Sequence, residues 1–469
     1  MASYKFEELS PQDASFLAAE GPSTPMHIGA VFIAEAGPLR AANGGIDIER
    51  IREFIDARLH RIPRYRQRLA YTPLRGRPVW IDDRHFSIEY HVRHTALPRP
   101  GNDEQLKRLV GRLSSQTLDR NRPLWEIWVV EGLERGDRFA LVSKVHHCMV
   151  DGISGAELMT VLMSLSPDEQ IQMPPPYVPR PAPSARELLV DEVIGFVTGP
   201  VQAGLRIGEL LRAEQRRHEL GQALRGVADL IARGLVPASA TPLNREIGPH
   251  RRFDHFALDV ARVKALKDKL GGTLNDVVLA TVAGGVRRFL TRRLVDVGSL
   301  DFRVSTPVSV RSASEQAVLG NRISAWILPL PVGEPDPLRR LERIRASTRQ
   351  LKESNQALGA DLLSAVTEWT GTTLLSLGTS FQNIGRPHNL IVTNVPGPQV
   401  PLYLVGAPLL ESYPIAPLFQ HQAVIVALFS YAGRLFWGLN ADAERMPDLA
   451  DLREDLVRSF EELAAIAAL

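Results

Sequence analysis

The stretch KVHHCMVDG, Lys144 to Gly152, sets two histidines side by side, four residues before an Asp-Gly pair. The preceding run, RFALVSKVHH, reads as a β-strand, and Asp151-Gly152 reads as a turn. Successive side chains of a strand point to opposite faces, so His146 and His147 cannot enter one cavity together while the strand stays regular. That argues against a paired metal site, which needs i, i+2 spacing on a strand or i, i+4 on a helix, and a third ligand besides. The other chemical reading is a general base, because imidazole titrates near neutrality and takes a proton from an alcohol without a large shift. Asp151 then either orients the ring or anchors the backbone by pairing with an arginine; a plain turn is the competing reading of Asp151-Gly152. Cys148, the single cysteine, is a weak nucleophile candidate.

At 469 residues the chain exceeds the usual limit of one hydrophobic core, so two core-sized units are expected. Apolar residues make up 44% and charged residues 23%, as in an ordinary globular chain. A formal charge of only +2 argues against nucleic acid as a partner. One cysteine excludes an internal disulfide framework and a Cys-rich metal site, and fits a reducing compartment. The N-terminal residues lack the apolar core of a secretory signal. The most apolar tract, residues 387–410, is interrupted by Pro396, Pro398, Pro401 and Pro408, so it reads as buried strands and turns rather than a spanning helix. No transmembrane segment is expected, and peripheral membrane contact stays open.

Three regions follow. Residues 1–172 interleave helices and strands. They open with LSPQDASFLAAE, where Ser10 suits an N-cap, Pro11 the first helical position and Asp13 the capping acid. A strand is expected at HIGAVFIAEAG, and another at FSIEYHVRH. Residues 173–245 begin with the proline-rich MPPPYVPRPAPSA and continue, from about Arg186 to Leu235, as an amphipathic helical stretch with a basic face. That stretch packs on the body or touches a lipid surface. Residues 246–469 return to α/β, with Thr273 and Asp276 placed to cap a helix and a hairpin over AVIVALFSYAGRLFWGLNAD.

HHCMVDG matches the HHxxxDG motif of CoA-dependent acyltransferases. With LSPQDASFLAAE, PMHIGAVFI, RPLWEIWVVEGL, LNREIGPHRRF, LNDVVLATVAGGVRRFL, PVSVR, LGNRIS and NVPGP in this order, the chain resembles the bacterial wax ester synthase/diacylglycerol acyltransferase family over nearly its whole length. The resemblance implies an α/β (α+β) fold of two chloramphenicol-acetyltransferase-like lobes, with the active-site tunnel between them and the proline-rich linker and helices joining them. It also implies His147 as the base, His146 and Asp151 as supporting residues, and Gly152 as the residue that permits the turn.

The implied reaction moves a long-chain acyl group from acyl-CoA, a co-substrate, to the hydroxyl of diacylglycerol or a fatty alcohol, with no bound cofactor, no metal and no acyl-enzyme. Asn275, in the first turn of a helix, is the candidate polar support for developing negative charge. Pro123, Leu124 and Trp125 are expected to shape the cavity wall, and Trp125 equally suits plain core. Glu20, Asn321 and Asn394 match family motifs and are grouped with the substrate-binding residues, while Asn394-Val395-Pro396-Gly397 is also a turn on physical grounds. No glycine-rich phosphate cradle marks the CoA site. The expected location is cytoplasmic, at the inner membrane or the surface of a lipid inclusion. Competing readings are a condensation-type acyltransferase with another acceptor, a metal-dependent hydrolase, and a non-catalytic lipid-surface protein.

Overall fold

A computed structural model describes residues 6–149, 159, 161–169, 171–194, 237–309, 323–357 and 387–468. The first half runs β1 (Glu7–Glu8), α1 (Pro11–Ala19), β2 (His27–Glu35), α2 (Ile48–Asp56), β3 (Gln67–Tyr71), β4 (Pro78–Asp82), β5 (Val92–Ala96), α3 (Asp103–Ser114), β6 (Trp125–Leu133) and β7 (Arg138–His146). The second runs β8 (Arg251–Asp259), α4 (Val260–Leu270), α5 (Leu274–Arg292), β9 (Arg303–Ser309), β10 (Ile323–Pro329), α6 (Pro337–Ala357), β11 (Leu390–Pro396), β12 (Tyr403–Leu404), β13 (Ala407–Ile415), β14 (Val424–Tyr431), β15 (Arg434–Asp442) and α7 (Leu449–Ile466). The fold is mixed α/β with two sheet-rich lobes, each built on a six-stranded sheet.

Local chemistry starts these helices where the sequence indicates. Ser10 caps α1, its Oγ accepting from the Asp13 N–H at 3.1 Å. Asn102 and Gln105 close a capping box on α3, and Thr273 and Asp276 close one on α5. In α3, Leu106, Leu109, Val110 and Leu113 recur at helical spacing and are all buried. The expected strand over FSIEYHVRH is only half formed: Ile88–His91 is a helical turn and β5 begins at Val92. The reason is tertiary. The His91 ring is drawn inward, with Nδ1 2.8 Å from the Trp125 carbonyl oxygen and its face stacked on the indole at 4.5 Å.

The first sheet has the order β12-β13-β2-β7-β6-β5, and the second β10-β9-β11-β14-β15-β8. Two strands from the C-terminal half thus complete the first sheet, because β13 pairs antiparallel with β2, Tyr413 opposite Val31. A cut at residue 246 separates the sequence but not the hydrogen bonding. The expected hairpin over 423–442 is formed by β14 and β15. Helices α4, α5, α6 and α7 cover one face of the second sheet around a core that includes Phe289, Phe302, Trp437 and Phe460.

The lobes meet through close backbone contact. A β-carbon on Gly111 of α3 would lie 2.6 Å from the Arg251 carbonyl oxygen of β8, and one on Gly438 of β15 would lie 1.9 Å from that of Pro414 in β13. Charges reinforce the seam: Lys107 Nζ stands 2.6 Å from Asp254, and His255 Nε2 stands 2.8 Å from Asp103. The proline-rich linker lies along the first lobe, clamped by Arg180 on Asp82 at 2.7–2.9 Å and by the Tyr177 hydroxyl on the Arg66 and Asp83 carbonyls. Of the expected helical stretch from Arg186 to Leu235, residues up to Ile194 are helical, and 195–235 lie outside the described residues.

Candidate active site

β7 ends at His146, and His147 opens a single 3-10 turn over His147–Met149. The strand therefore stops between the two histidines, and each ring goes to a different neighbour supplied by the α1 segment. Phe16 and Glu20 are four residues apart, so the end of α1 presents both to one side. The Phe16 ring stacks on the His147 imidazole, with centroids 3.8 Å apart and planes 14° from parallel. Glu20, which follows α1 as its C-cap residue, faces His146 instead.

Glu20 is a buried carboxylate with several cationic or polar neighbours. Arg120 donates to its Oε2 from two nitrogens, at 2.8 and 3.2 Å. The Met26 N–H donates to its Oε1 at 3.3 Å. The Nε2 atoms of His27 and His146 lie 3.2 and 3.5 Å from the same Oε1, close contacts rather than well-aligned hydrogen bonds. Burial raises the carboxyl's pKa, but His146, His27 and Arg120 outweigh it and hold the group well below the usual carboxylate range. Glu20 is ionised at any working pH.

His146 is fully buried, and its Nδ1 accepts from the Cys148 backbone N–H at 3.2 Å. An accepting Nδ1 places the ring proton on Nε2, the atom that faces Glu20. Glu20 therefore orients His146, and His146 in turn ties down the turn that begins at His147. Two backbone bonds complete the frame: the His146 N–H donates to the Leu124 carbonyl at 2.9 Å, and the His147 N–H to the Met26 carbonyl at 2.8 Å. The His147 residue is half-buried, but its ring sits in low-polarity surroundings that push its pKa down to about 4, with His146 adding to the effect. Its Nδ1 is enclosed, with no hydrogen-bond partner among the described residues. The imidazole is thus neutral at pH 7 and able to accept a proton. Burial, then the charges of Asp13 and Glu20, push the Cys148 thiol up, so it stays protonated and un-nucleophilic.

The remaining expected residues fall in three places. Pro123, Leu124 and Trp125 are buried at the entry to β6, where Leu124 holds the His146 backbone. The Trp125 indole donates to the Tyr65 carbonyl at 2.8 Å and packs on Tyr65 and His91 in the first core. Asn275 is half-buried in the first turn of α5, and Asn394 is half-buried on β11; no described hydrogen bond joins either to the histidine turn. Asp151, Gly152 and Asn321 lie outside the described residues.

The sequence alone does not single out Phe16, His27 or Arg120. The i, i+4 spacing of Phe16 and Glu20 was the available signal; Arg120 meets Glu20 only through the tertiary fold. Although His27, His146 and Glu20 converge, no group of three His, Cys, Asp or Glu among the described residues has the geometry to hold a metal ion. The cluster sits at the lobe junction, because His27 also lines a small cleft with Pro25, Lys144, Arg251, Ile415 and Asn440. There the buried Lys144 ammonium donates to the Leu113 and Gln116 carbonyls at the end of α3.

Residues 9–278 match the wax ester synthase/diacylglycerol acyltransferase catalytic domain, and residues 319–464 match the C-terminal domain of the same family. The chain belongs to the wax ester synthase/diacylglycerol acyltransferase family. It is an acyltransferase, with the acyl-CoA-dependent transfer of that family. A putative diacylglycerol O-acyltransferase of Mycobacterium tuberculosis is 32% identical over 466 residues, covering 97% of this chain and 90% of the relative. A probable diacylglycerol O-acyltransferase from the same species is also 32% identical, covering 98% and 96%. Among solved structures, the wax ester synthase/diacylglycerol acyltransferase of Marinobacter aquaeolei VT8 superposes with a TM-score of 0.69 at 26% identity, over 98% of this acyltransferase and all of the other chain. The first condensation domain of a calcium-dependent antibiotic synthetase shares the fold, with a TM-score of 0.58 at 16% identity over 98% and 96% of the chains.

Proposed function

We propose that this acyltransferase moves a long-chain acyl group from acyl-CoA to the hydroxyl of diacylglycerol, or of a long-chain fatty alcohol, with His147 as general base. The observation that carries the reading is the His147 imidazole itself, kept neutral by burial and stacked on the Phe16 ring, while the residue's backbone N–H is tied to the Met26 carbonyl. With Nδ1 enclosed, Nε2 is the nitrogen assigned to substrate. It takes the hydroxyl proton as the oxygen attacks the thioester carbonyl carbon. The C–S bond then breaks, and the imidazolium returns the proton to the departing CoA thiolate. No side chain is acylated, in keeping with a Cys148 thiol that is buried and protonated. Asn275, at the amino end of α5, is the proposed polar support for charge in the reacting centre.

The acceptor follows the names of the relatives, in which diacylglycerol recurs and wax ester appears beside it. Such acceptors are insoluble, and the described residues include no helix long and apolar enough to cross a membrane. Access to them is therefore assigned to peripheral contact with the inner membrane or a lipid inclusion. The test is acyl transfer from radiolabelled palmitoyl-CoA to dioleoylglycerol and to hexadecanol, for wild type and His147→Ala. Removing a general base costs on the order of 100- to 10,000-fold in rate. A folded His147→Ala protein with full activity overturns the mechanism, and a wild type that acylates neither acceptor overturns the substrate assignment.

A further inference from the structure

The small cleft beside the histidine pair gathers polar groups from both lobes. His27 comes from β2 and Lys144 from β7 in the first sheet, and Asn440 comes from β15 in the second. None of the three is more than 5% exposed. Much of the remaining wall is aliphatic, including Ile28, Val142 and Ile415. Arg251 also borders the cleft, but its guanidinium is occupied by the Ser23, Gly248 and His250 carbonyls. The space suits about one water molecule.

The three side chains leave a matched set of unmet bonds. Asn440 Nδ2 donates to the Ala416 carbonyl at 2.7 Å, so Oδ1 is an acceptor, and it has no hydrogen-bond partner among the described residues. Ala416 lies between Ile415 and Pro417, both on the cleft wall, which puts the amide beside the cleft. Lys144 Nζ donates to the Leu113 and Gln116 carbonyls at 3.1 and 2.6 Å, and an ammonium has a third N–H to give. Leu113 borders the cleft as well. Burial, opposed by Glu20 and aided by the Lys144 ammonium, pushes His27 down to about 4, so its ring is neutral and carries one proton. That proton belongs on Nε2, which faces the Glu20 carboxylate at 3.2 Å. Nδ1 is then a second acceptor, again with no partner among the described residues. One donor and two acceptors remain, and buried polar groups are satisfied as a rule. A water molecule accepts from the first and donates to the other two.

We infer that this cleft is a site for one water molecule, and that Asn440 and Lys144 act through it as positioning residues for His147. The water fixes His27 in the tautomer that presents N–H to Glu20. Glu20 orients His146, and His146 ties down the turn that begins at His147. A side chain of the second lobe thereby sets the geometry of a base carried by the first. This rests on the proposed role of His147 as base, and it gives the second lobe a part in that site.

A high-resolution crystal structure of the full-length protein should show a water within about 3.2 Å of Asn440 Oδ1, His27 Nδ1 and Lys144 Nζ. Nitrogen-15 NMR of the histidine-labelled protein, with His27→Gln assigning the signal, should place the His27 proton on Nε2. A dry cleft, or a His27 proton on Nδ1, overturns the inference. Both measurements use wild type, so they decide the site even where a cleft variant does not fold. The kinetic arm follows acyl transfer from palmitoyl-CoA to hexan-1-ol, a water-soluble acceptor that needs no interface. Asn440→Leu replaces the amide with carbon of similar size and should lower kcat at least about tenfold with KM little changed. In the His27→Gln background, which has no Nδ1, the same change should cost less than about twofold. An equal loss in both backgrounds would show that Asn440 only packs the seam, and it overturns the inference. So does a folded Asn440→Leu protein with full activity. Full activity of a folded His147→Ala protein would sink the proposed base and the positioning role with it, while the water and the tautomer would still decide the site.

Discussion

Replacing Glu20 by glutamine tests the chain of contacts that runs from α1 to the base. The change keeps the shape and removes the charge. Arg120 then loses its carboxylate at 2.8 Å, and the buried His27 and His146 lose the anion shared at 3.2 and 3.5 Å. Breaking a buried pair from one side typically costs about 3–5 kcal/mol, because the other charge is left stranded. Arg120 is 38% exposed and recovers part of that from water, so a loss of about 2–3 kcal/mol is expected at pH 7. The sign with pH follows from the depressed carboxyl: its contribution is complete above the ordinary carboxylate range and is lost as acid protonates the folded protein. Urea unfolding should therefore show a constant deficit from pH 8 to about pH 5, shrinking below about pH 4. Activity should fall further than stability alone explains, since His146 no longer fixes the turn that begins at His147. A displacement of the base by about 1 Å costs on the order of 100-fold in kcat/KM. A variant within about 0.5 kcal/mol of wild type in unfolding, and within about twofold in kcat/KM on hexanol, would refute the reasoning, since that is the scatter of an inert surface change.

Phe16→Ala should admit water to the His147 ring and move its pKa from about 4 toward the ordinary 6.5, so the acid limb of the kcat/KM profile rises to meet neutral pH. Phe16→Leu keeps the apolar wall and removes only the aromatic face, so it should lower kcat while leaving that limb at low pH; identical pH profiles for all three proteins would contradict the assignment. Cys148→Ala should keep activity within about twofold, as the thiol is buried, protonated and outside the reaction, and loss of activity in a folded variant would revive a covalent route. Burial pushes His27 and His91 down to about 4, so the unfolded chain binds more protons between pH 6.5 and 4 and stability falls with acid across that window. Each should remove about 2 kcal/mol between pH 7 and 5 in urea unfolding, and a stability flat over that range would show the two rings to be solvated.

Much of the helix punctuation and of the chemistry is legible in the order of the residues. Ser10 and Thr273 cap their helices because short polar side chains satisfy amide groups within three residues, an effect that needs no distant partner. The strand ending at the histidine pair and the unsuitability of Cys148 follow from local periodicity and residue type, whereas the two rings part because the strand stops between them. The ordered motifs pointed to the acyltransferase family, which the family domains and relatives then showed. Which groups meet is set by contacts between distant segments. Glu20 and Arg120 are 100 residues apart, and Phe16 reaches His147 only because α1 packs across the end of β7. FSIEYHVRH alternates like a strand, yet the stacking of His91 on Trp125 converts half of it to a helical turn. The strand β13 reads as part of the second lobe by position and completes the first sheet by hydrogen bonding. Local patterns record the energy of near neighbours along the chain, whereas a shared carboxylate, a stacked ring or a crossed-over strand is fixed by contacts between segments that sequence spacing does not relate.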